Sequence, residues 1–430
     1  MKRKAAWGLL LAAGLLAVLA GGLFSAWPRG GERAPLVYSQ TRDLLQASLV
    51  YDAGTRTLRG TQTLTAKNRT GDALHEAVLR LYMNGQQEDS VVVTHVTANG
   101  QSVSFEKDES DPTVLRIALD WPAGETVELS WTLMLTHPRA EGAAVITLPA
   151  LAMYENGAWR TDAYDVLAGQ SYAQAFDADV TVDGESVCRL EGVRDASFAL
   201  GGSVRSMERQ GVALRIVGGS AAQARTAAAR ADEALKELKA LGFAYPFPVL
   251  TVALAQDVPA NGTALSGLIA VCPQQDTQAL RSQMIRLMAM QTFGILVESD
   301  PWNAPWLSYS LSAAAELLCY RERKGVAAYE NRLYEEIEPA QRVTRPYGVC
   351  VGAGTAFFGG ENEMAQVLMD QGAAMLLGIE RAEGENFLAA LRLYVQRCKG
   401  ETGTRAALED ALFEATGSDW SGYLEDELAF

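Results

Sequence analysis

The chain has 430 residues, of which 48% are hydrophobic and 21% are charged, and this composition excludes a disordered or fibrous protein. Asp and Glu number 52 against 37 Lys and Arg, which gives a formal net charge of −15. Because binding to a phosphate backbone needs a cationic surface, we expect no nucleic-acid partner. At about 150 residues per domain, the length predicts two or three domains.

The N-terminus carries a membrane-targeting pattern. Basic residues at positions 2–4 precede an uncharged apolar run at 5–27, which as a helix would span about 34 Å against a hydrocarbon core of about 30 Å. We predict that residues 1–27 form a retained single-pass transmembrane anchor or a cleaved signal, with a small-residue cleavage site after Ala20. The anchor would leave the N-terminus cytoplasmic and the main domains extracytoplasmic at the cell membrane, whereas the signal would make the protein secreted.

The rest of the chain divides into two patterns. Residues 28–36 predict a linker, and residues 37–195 predict a β domain, a sandwich or a saddle-shaped sheet, with turns at regular spacing. Residues 196–430 predict a small sheet followed by helices, so the fold class is α+β and multidomain. The main predicted strands are 45–50, 55–66, 77–82, 91–96, 127–135 and 249–255, and the predicted helices are 221–241, 283–297, 308–324, 364–377, 386–397 and 404–415.

Histidine is scarce and cysteine is scattered. The histidines are His75, His95 and His137, so none follows residue 137. A Ser-His-Asp triad or a His-rich metal site therefore cannot be built from the C-terminal part alone. The five cysteines show no CxxC spacing, which argues against a zinc cluster or a disulfide scaffold.

Short segments occur along the chain in a characteristic order. They are Gly60 to Asn84 with its ending Leu81-Tyr82-Met83-Asn84, Val193-Arg194-Asp195 with Phe198, Gly242 to Pro248, Gly267-Leu268-Ile269, Pro305-Trp306-Leu307, Gln371-Gly372-Ala373 and Asn386 to Tyr394. In these segments and their order the chain resembles the M1 (gluzincin) aminopeptidases. The resemblance covers most of residues 43–428. It implies an M1-type N-terminal β domain at 37–195 and a catalytic-like, thermolysin-like domain with C-terminal helices at 196–430.

Active M1 members bind zinc through HExxH and a later glutamate. Two histidines four residues apart share one helix face, and the glutamate of the motif is the general base for the zinc-bound water. This sequence contains no HExxH motif. An ungapped alignment on Gln291, Phe293, Asp300 and Trp306 shows what stands at the family's chemical positions. The two zinc-binding histidines, the catalytic glutamate, the zinc-binding glutamate, the amine-binding glutamate and the oxyanion-stabilising tyrosine correspond to Arg286, Met290, Leu287, Tyr309, Ala264 and Met369.

These replacements remove the chemistry that the resemblance would otherwise imply. Arg286 cannot lose its proton to become a ligand, Met290 offers a thioether that suits soft metals, and Tyr309 would need a strongly depressed pKa. We therefore expect no catalytic residue, metal ligand or cofactor, and interpret the chain as a pseudopeptidase that binds a peptide or a protein partner. A charge among apolar neighbours needs a partner, so we expect Arg286 to pair with a carboxylate such as Glu316 or with a bound acidic ligand.

The alternative is an active metallopeptidase with a rebuilt metal site that contains no histidine. Carboxylates such as Glu298, Asp300 or Glu316 would then hold zinc or, by preference, a harder dication. The apolar helix face at 284–293 predicts core packing, or else a remodelled hydrophobic cleft. Trp306 and Tyr309 would likewise pack in the core or line a groove.

Overall fold

The strands of the N-terminal sheets have buried and more exposed side chains in alternation. A computed structural model describes residues 38, 41–136, 142–167, 172–273, 276–341, 346 and 348–429. Along the strand at 126–136, Val127, Leu129, Trp131, Leu133 and Leu135 are buried, while the residues between them are exposed or half-buried. This period of two places every second side chain in one core.

Two sheets form most of this part. The strands are β1 Asp43–Asp52, β2 Thr57–Lys67, β3 Leu74–Arg80, β4 Val91–Ala98, β5 Gln101–Ser102, β6 Phe105–Lys107, β7 Val114–Trp121, β8 Thr126–Thr136, β9 Ala144–Thr147, β10 Ala150–Leu151, β11 Tyr154–Glu155, β12 Ala158–Trp159, β13 Phe176–Val182, β14 Glu185–Val193 and β15 Ser197–Leu200, with a short helix α1 Met83–Gln86. One sheet has the order β14-β13-β1-β2-β8-β4-β5 and the other β10-β3-β7-β6, while β9 pairs with β15 and β11 with β12. Both sheets contribute to one core, for example through Leu64 and Leu133 of the first and Leu79 and Ile117 of the second.

A five-stranded sheet carries the second part. Its strands are β16 Val204–Arg209, β17 Val212–Val217, β18 Val249–Leu254, β19 Thr263–Leu265 and β20 Leu268–Val271, in the order β16-β17-β18-β20-β19. The central strand β18 is parallel to both neighbours and almost wholly buried. Strand β19 is antiparallel to β20 and lies at the edge of this sheet.

Helices cover this sheet and share one core with it. They are α2 Ala221–Ala240, α3 Thr277–Met290, α4 Trp306–Lys324, α5 Val326–Arg332, α6 Glu338–Gln341, α7 Glu361–Ala365, α8 Gly372–Glu383, α9 Glu385–Cys398, α10 Arg405–Thr416 and α11 Ser421–Ala429. Three π-helical turns continue or join them, at Gln291–Leu296, Leu333–Ile337 and Gln366–Gln371. π-Helical turns are frequent at functional sites.

The predicted α+β mixture of sheets and helices is found, but several boundaries differ. Helix α3 begins at 277 instead of 283 because the Asp276 side chain caps it, accepting hydrogen bonds from the backbone N–H groups of Gln278 and Ala279. The predicted helix 364–377 is divided by a π-helical turn at 366–371. All five cysteines are free thiols.

The predictions for the N-terminus fall outside the described residues. These are the anchor or signal at 1–27 and the linker at 28–36. Among the residues that the structure describes, none of the helices is long and apolar enough to cross a membrane. The division at 195/196 stays a prediction, and strand β15 just after it pairs back onto β9 of the first part.

Candidate functional site

A cavity of about 690 Å³ brings together all six chemical positions that the alignment selects. Ala264 lies on β19, Tyr309 on α4 and Met369 in the π-helical turn at 366–371. The other three, Arg286, Leu287 and Met290, lie on α3. The structure therefore brings to one cavity residues that are up to 105 positions apart, from Ala264 to Met369.

Gln291 fixes the edge hairpin against α3. Its buried side-chain oxygen accepts a hydrogen bond from the backbone N–H of Gly267 at 3.0 Å. Its amide nitrogen donates to the carbonyl oxygens of Leu265 at 2.9 Å and Leu268 at 3.2 Å. Because this one amide spans the turn between β19 and β20, the edge strand keeps a fixed distance from the helix that carries Arg286.

Close backbone approach shapes the wall next to the edge strand. Gly262 has φ +77°, and a Cβ at this position would lie 2.7 Å from Leu287 Cδ1 and 2.8 Å from the carbonyl oxygen of Ala270. Such contacts are too short for any side chain, so only glycine fits here. Leu287 thus packs closely against the backbone of Gly262 on this part of the cavity wall.

Arg286 is a cation with no close counter-ion among the residues that the structure describes. The side chain is half-buried and lines the cavity, and its Nε is buried without a hydrogen-bond partner. Within the described part of the chain, no carboxylate oxygen forms an ion pair with it inside 4.0 Å. Burial lowers the pKa of Arg286, and the attraction of Glu316 opposes this effect. The guanidinium still remains protonated, since its ordinary pKa is far above neutrality.

The predicted pair between Arg286 and Glu316 is not formed. Glu316 is 1% exposed, and its carboxylate binds the Arg332 guanidinium at 2.9 Å. Arg332 reaches it from α5, an element that the sequence pattern did not predict. One buried carboxylate is thus already neutralised, and the second cation nearby, Arg286, is left facing the cavity.

Tyr309 is a neutral phenol. Its hydroxyl donates to the carbonyl oxygen of Leu167 at 3.5 Å. Burial raises the pKa of Tyr309 to about 12, and the carboxylates of Glu361 and Asp165 add to the shift. A phenolate ligand is therefore unfavourable at neutral pH, because ligation requires the deprotonated oxygen.

The residues at these positions do not fit a zinc ion. Arg286, Met290 and Tyr309 offer a guanidinium, a thioether and a neutral phenol, whereas zinc prefers imidazole, thiolate and carboxylate ligands. In the described ranges, no group of three or more His, Cys, Asp and Glu side chains lies close enough to hold a metal ion. No metal-dependent step can therefore be assigned to these residues.

The carboxylates of the alternative metal site each have an arginine partner. Glu298 lines the cavity, is 3% exposed, and lies 2.6 Å from Arg194 Nε. Burial raises the pKa of Glu298 well above its ordinary value, because desolvation outweighs the attraction of Arg194. Asp300 pairs with Arg160 at 3.1 Å, and hydrogen bonds and this arginine lower the pKa of Asp300 although burial opposes them.

Sequence reasoning missed an acidic group on the cavity wall, made of Asp165, Asp257 and Glu361. Glu361 is the first residue of α7, and its carboxylate accepts hydrogen bonds from the backbone N–H of Asn261 at 3.1 Å and from its side-chain amide at 3.3 Å. These acids lie on loops and helix starts far apart in the chain, so no local spacing relates them. The available signal in the sequence was the Gly359-Gly360 pair directly before Glu361.

Comparisons with known proteins support the fold. No family model matches the sequence, and no curated protein matches it. The M1 zinc metallopeptidase from Deinococcus radiodurans matches with a TM-score of 0.62 and 18% identity, covering 90% of this chain and 93% of that chain. A mutant of that enzyme matches at 0.61 and 17% identity over the same shares, and the mutant bound to a Tyr-Ser-Ala substrate matches at 0.60 and 18% identity over 90% and 94%. The chain thus resembles M1 metallopeptidases in fold, and at this identity the likeness extends to the fold alone.

Proposed function

We propose that this protein is an M1-like pseudopeptidase whose cleft binds a peptide without hydrolysing it. The observation that carries the proposal is the cavity itself, which brings together all six aligned positions, and none of these six residues is a histidine or a carboxylate. The volume of about 690 Å³ lies within the range of small-ligand sites. The protein would thus keep the M1-like fold and its cleft but would not hydrolyse peptides.

The edge strand supports a peptide as the ligand. Thr263, Ala264 and Leu265 of β19 line the cavity, and β19 has a neighbour on only one side of its sheet. The open side of an edge strand offers unpaired N–H and C=O groups, to which an extended peptide can add as a further strand. The M1 structure with Tyr-Ser-Ala provides a peptide of suitable length as a first probe.

The missing base is as important as the missing ligands. Leu287 replaces the glutamate that would activate water, and a leucine can neither accept nor donate a proton. Met369 replaces the tyrosine that would stabilise the oxyanion. A bound peptide would therefore meet neither an activated nucleophile nor a stabilising donor at these two positions.

The second candidate is a metallopeptidase with a carboxylate site. Glu298 is the one carboxylate of that set which lines the cavity, and its raised pKa favours the protonated form that binds metals poorly. Asp300 and Glu316 are held by Arg160 and Arg332. These partners favour the non-hydrolytic proposal over this one.

Metal content and peptide turnover of the purified full-length chain test the proposal together. After dialysis against micromolar zinc, we expect less than about a tenth of an equivalent of bound zinc. Tyr-Ser-Ala should remain intact by mass spectrometry, and titration calorimetry should detect binding of a short peptide. One equivalent of zinc together with chelator-sensitive cleavage would establish an enzyme instead.

We also propose that residues 1–27 place the protein at the cell membrane, with the domains extracytoplasmic. The support is the sequence alone, namely the basic residues at 2–4 and the apolar run at 5–27. Carbonate extraction of membranes and protease treatment of intact cells test this. A retained anchor predicts a chain that stays in the pellet and is digested from outside, whereas a cleaved signal predicts a soluble chain that begins after Ala20.

A further inference from the structure

We propose that Arg286 anchors a carboxylate of the bound ligand, so that the ligand class is a short peptide with an anionic group at the α3 wall of the cavity. The inference rests on the proposed peptide-binding function and specifies it further. Its basis is the half-buried guanidinium that lines the cavity with no ion pair inside 4.0 Å among the described residues. Its Nε is also buried without an acceptor.

A desolvated cation of this kind is costly unless something pairs with it. Leaving a charged group partly buried without a partner costs several kcal/mol at the upper limit. The carboxylates whose attraction reaches Arg286 are Glu316 and Asp370, and neither forms an ion pair with it. Glu316 is neutralised by Arg332, which itself repels the Arg286 charge. Arg286 therefore has no ion-pair partner among the described residues, and a carboxylate that enters the cavity would supply one.

Carboxylates that line the same cavity favour a zwitterion over a simple anion. Asp165 and Glu361 are the carboxylates whose charges act on Tyr309, and neither is among the charges that act on Arg286. The cavity thus has a cationic region at Arg286 and an acidic region near Tyr309. A short peptide can match both, with a carboxylate at Arg286 and its ammonium group toward the acids.

Arginine suits this role because its planar guanidinium can donate two parallel hydrogen bonds to one carboxylate. Two sources can supply that carboxylate, the C-terminus of the peptide or an acidic side chain. Both sources present the same chemical group to Arg286. A peptide with an amidated C-terminus distinguishes them, because it can offer a carboxylate only from a side chain. Because Arg286 stands at the position of a family zinc ligand, the peptide carboxylate would occupy the space that the metal occupies in active members.

Native mass spectrometry with defined tripeptide pools tests the inference on the full-length chain. One pool contains Tyr-Ser-Ala and related tripeptides of Ala, Leu, Ser and Tyr as free acids, the second contains the same peptides as C-terminal amides, and the third contains amides with one Glu. Wild type is compared with Arg286→Gln and with Arg225→Gln. Arg225 is an exposed residue on α2 that does not line the cavity, so it offers the same loss of charge elsewhere.

We expect wild type to retain the free acids, or the Glu-containing amides, at least about 10-fold better than the plain amides, which is the size of one charge-assisted hydrogen-bonded pair. Arg286→Gln should lose this preference, while Arg225→Gln should keep it. Retention of the first pool identifies the C-terminus as the source, and retention of the third identifies an acidic side chain. Equal retention of all pools by wild type would overturn the carboxylate anchor but leave peptide binding intact. Retention of none at millimolar concentration would overturn the proposed function, and the anchor with it.

Discussion

The carboxylate of Glu316 is held by the guanidinium of Arg332 at 2.9 Å, and this pair determines that Arg286 faces the cavity without Glu316 as its partner. Glu316 is 1% exposed, and Arg332 also binds Glu336 at 2.9 Å and lies over the Tyr320 ring at 4.8 Å. Since Arg332 satisfies the buried acid, Arg286 is not needed for that purpose. The single pair therefore leaves a cation available on the cavity wall.

Arg332→Gln should destabilise the fold strongly. It leaves the Glu316 carboxylate buried without its arginine, and breaking a buried pair in this way costs about 3–5 kcal/mol. Urea denaturation at pH 7 measures the free energy of unfolding. Arg381→Gln is the matched control, because Arg381 pairs with Glu330 at 3.0 Å with both side chains 50% exposed, and such a pair is worth about 0–1 kcal/mol. Equal costs in the two variants would mean that Arg286 moves to Glu316 when Arg332 is absent.

Arg286→Gln should raise the stability of the ligand-free protein while it weakens peptide binding. The substitution removes a desolvated charge that has no close partner in the described part of the chain, and we expect a gain of up to about 1 kcal/mol. Thermal unfolding without peptide measures it, with Arg225→Gln as the control, for which a surface change within about 0.5 kcal/mol is expected. A loss of stability in Arg286→Gln would instead indicate that the guanidinium serves the fold.

The β-strands were the best predicted part of the fold because their signal is local. The alternation along 126–136 is present in the sequence, and the predicted strand 127–135 differs from β8 by one residue at each end. The boundaries of the helices were harder to predict, since they depend on tertiary contacts between segments far apart in the chain. A π-helical turn divides the predicted helix 364–377, and nothing in the hydrophobic spacing of that segment marks where the helix changes.

The candidate site could be predicted only at the positions that the family resemblance selected. It selected six positions, and all six line one cavity. The expected pair between Arg286 and Glu316 is not formed, because Arg332 binds Glu316 from α5, a short helix after Gly325 that carries no clear periodicity. The other expectation for Arg286, a bound acidic ligand, stays a prediction. The acidic wall was missed for the same physical reason, since Asp165 and Glu361 line one cavity although nearly 200 positions separate them in the chain.

Glu298→Gln should change how stability depends on pH. Burial raises the folded-state pKa of Glu298 above its ordinary value of 4.5, so the folded state holds this proton more tightly than the unfolded chain does. The contribution of Glu298 to stability is therefore fully present below pH 4.5 and declines as the pH rises toward the folded-state pKa. Measured by urea denaturation from pH 4 to pH 8, Glu298→Gln should gain stability relative to wild type as the pH rises.

Asp300→Asn provides a control of opposite sign in the same region. Hydrogen bonds from Asn303 and the Arg160 guanidinium lower the pKa of Asp300 below its ordinary value of 3.8, although burial opposes them. Its contribution is therefore present above pH 3.8 and is lost as the pH falls through the folded-state pKa. Asp300→Asn should be destabilising at pH 7, and its difference from wild type should shrink toward acid pH. Parallel pH profiles for the two variants would contradict the environments assigned to both carboxyls.

Restoring the family's residues should restore a zinc site. The combined substitution Arg286→His, Leu287→Glu, Met290→His and Tyr309→Glu places two imidazoles four residues apart on α3 and a carboxylate on α4 toward the same cavity. After dialysis against micromolar zinc, elemental analysis should find about one equivalent in this variant and less than about a tenth in wild type. Glu298→Gln serves as a further control, since it alters a cavity carboxyl without adding a ligand. If the fourfold variant folds with the circular dichroism spectrum of wild type but binds no zinc, the assignment of these four positions is wrong. Zinc binding without cleavage of Tyr-Ser-Ala would instead show that the metal site is recovered while Ala264 and Met369 still lack the groups that position substrate and stabilise the oxyanion.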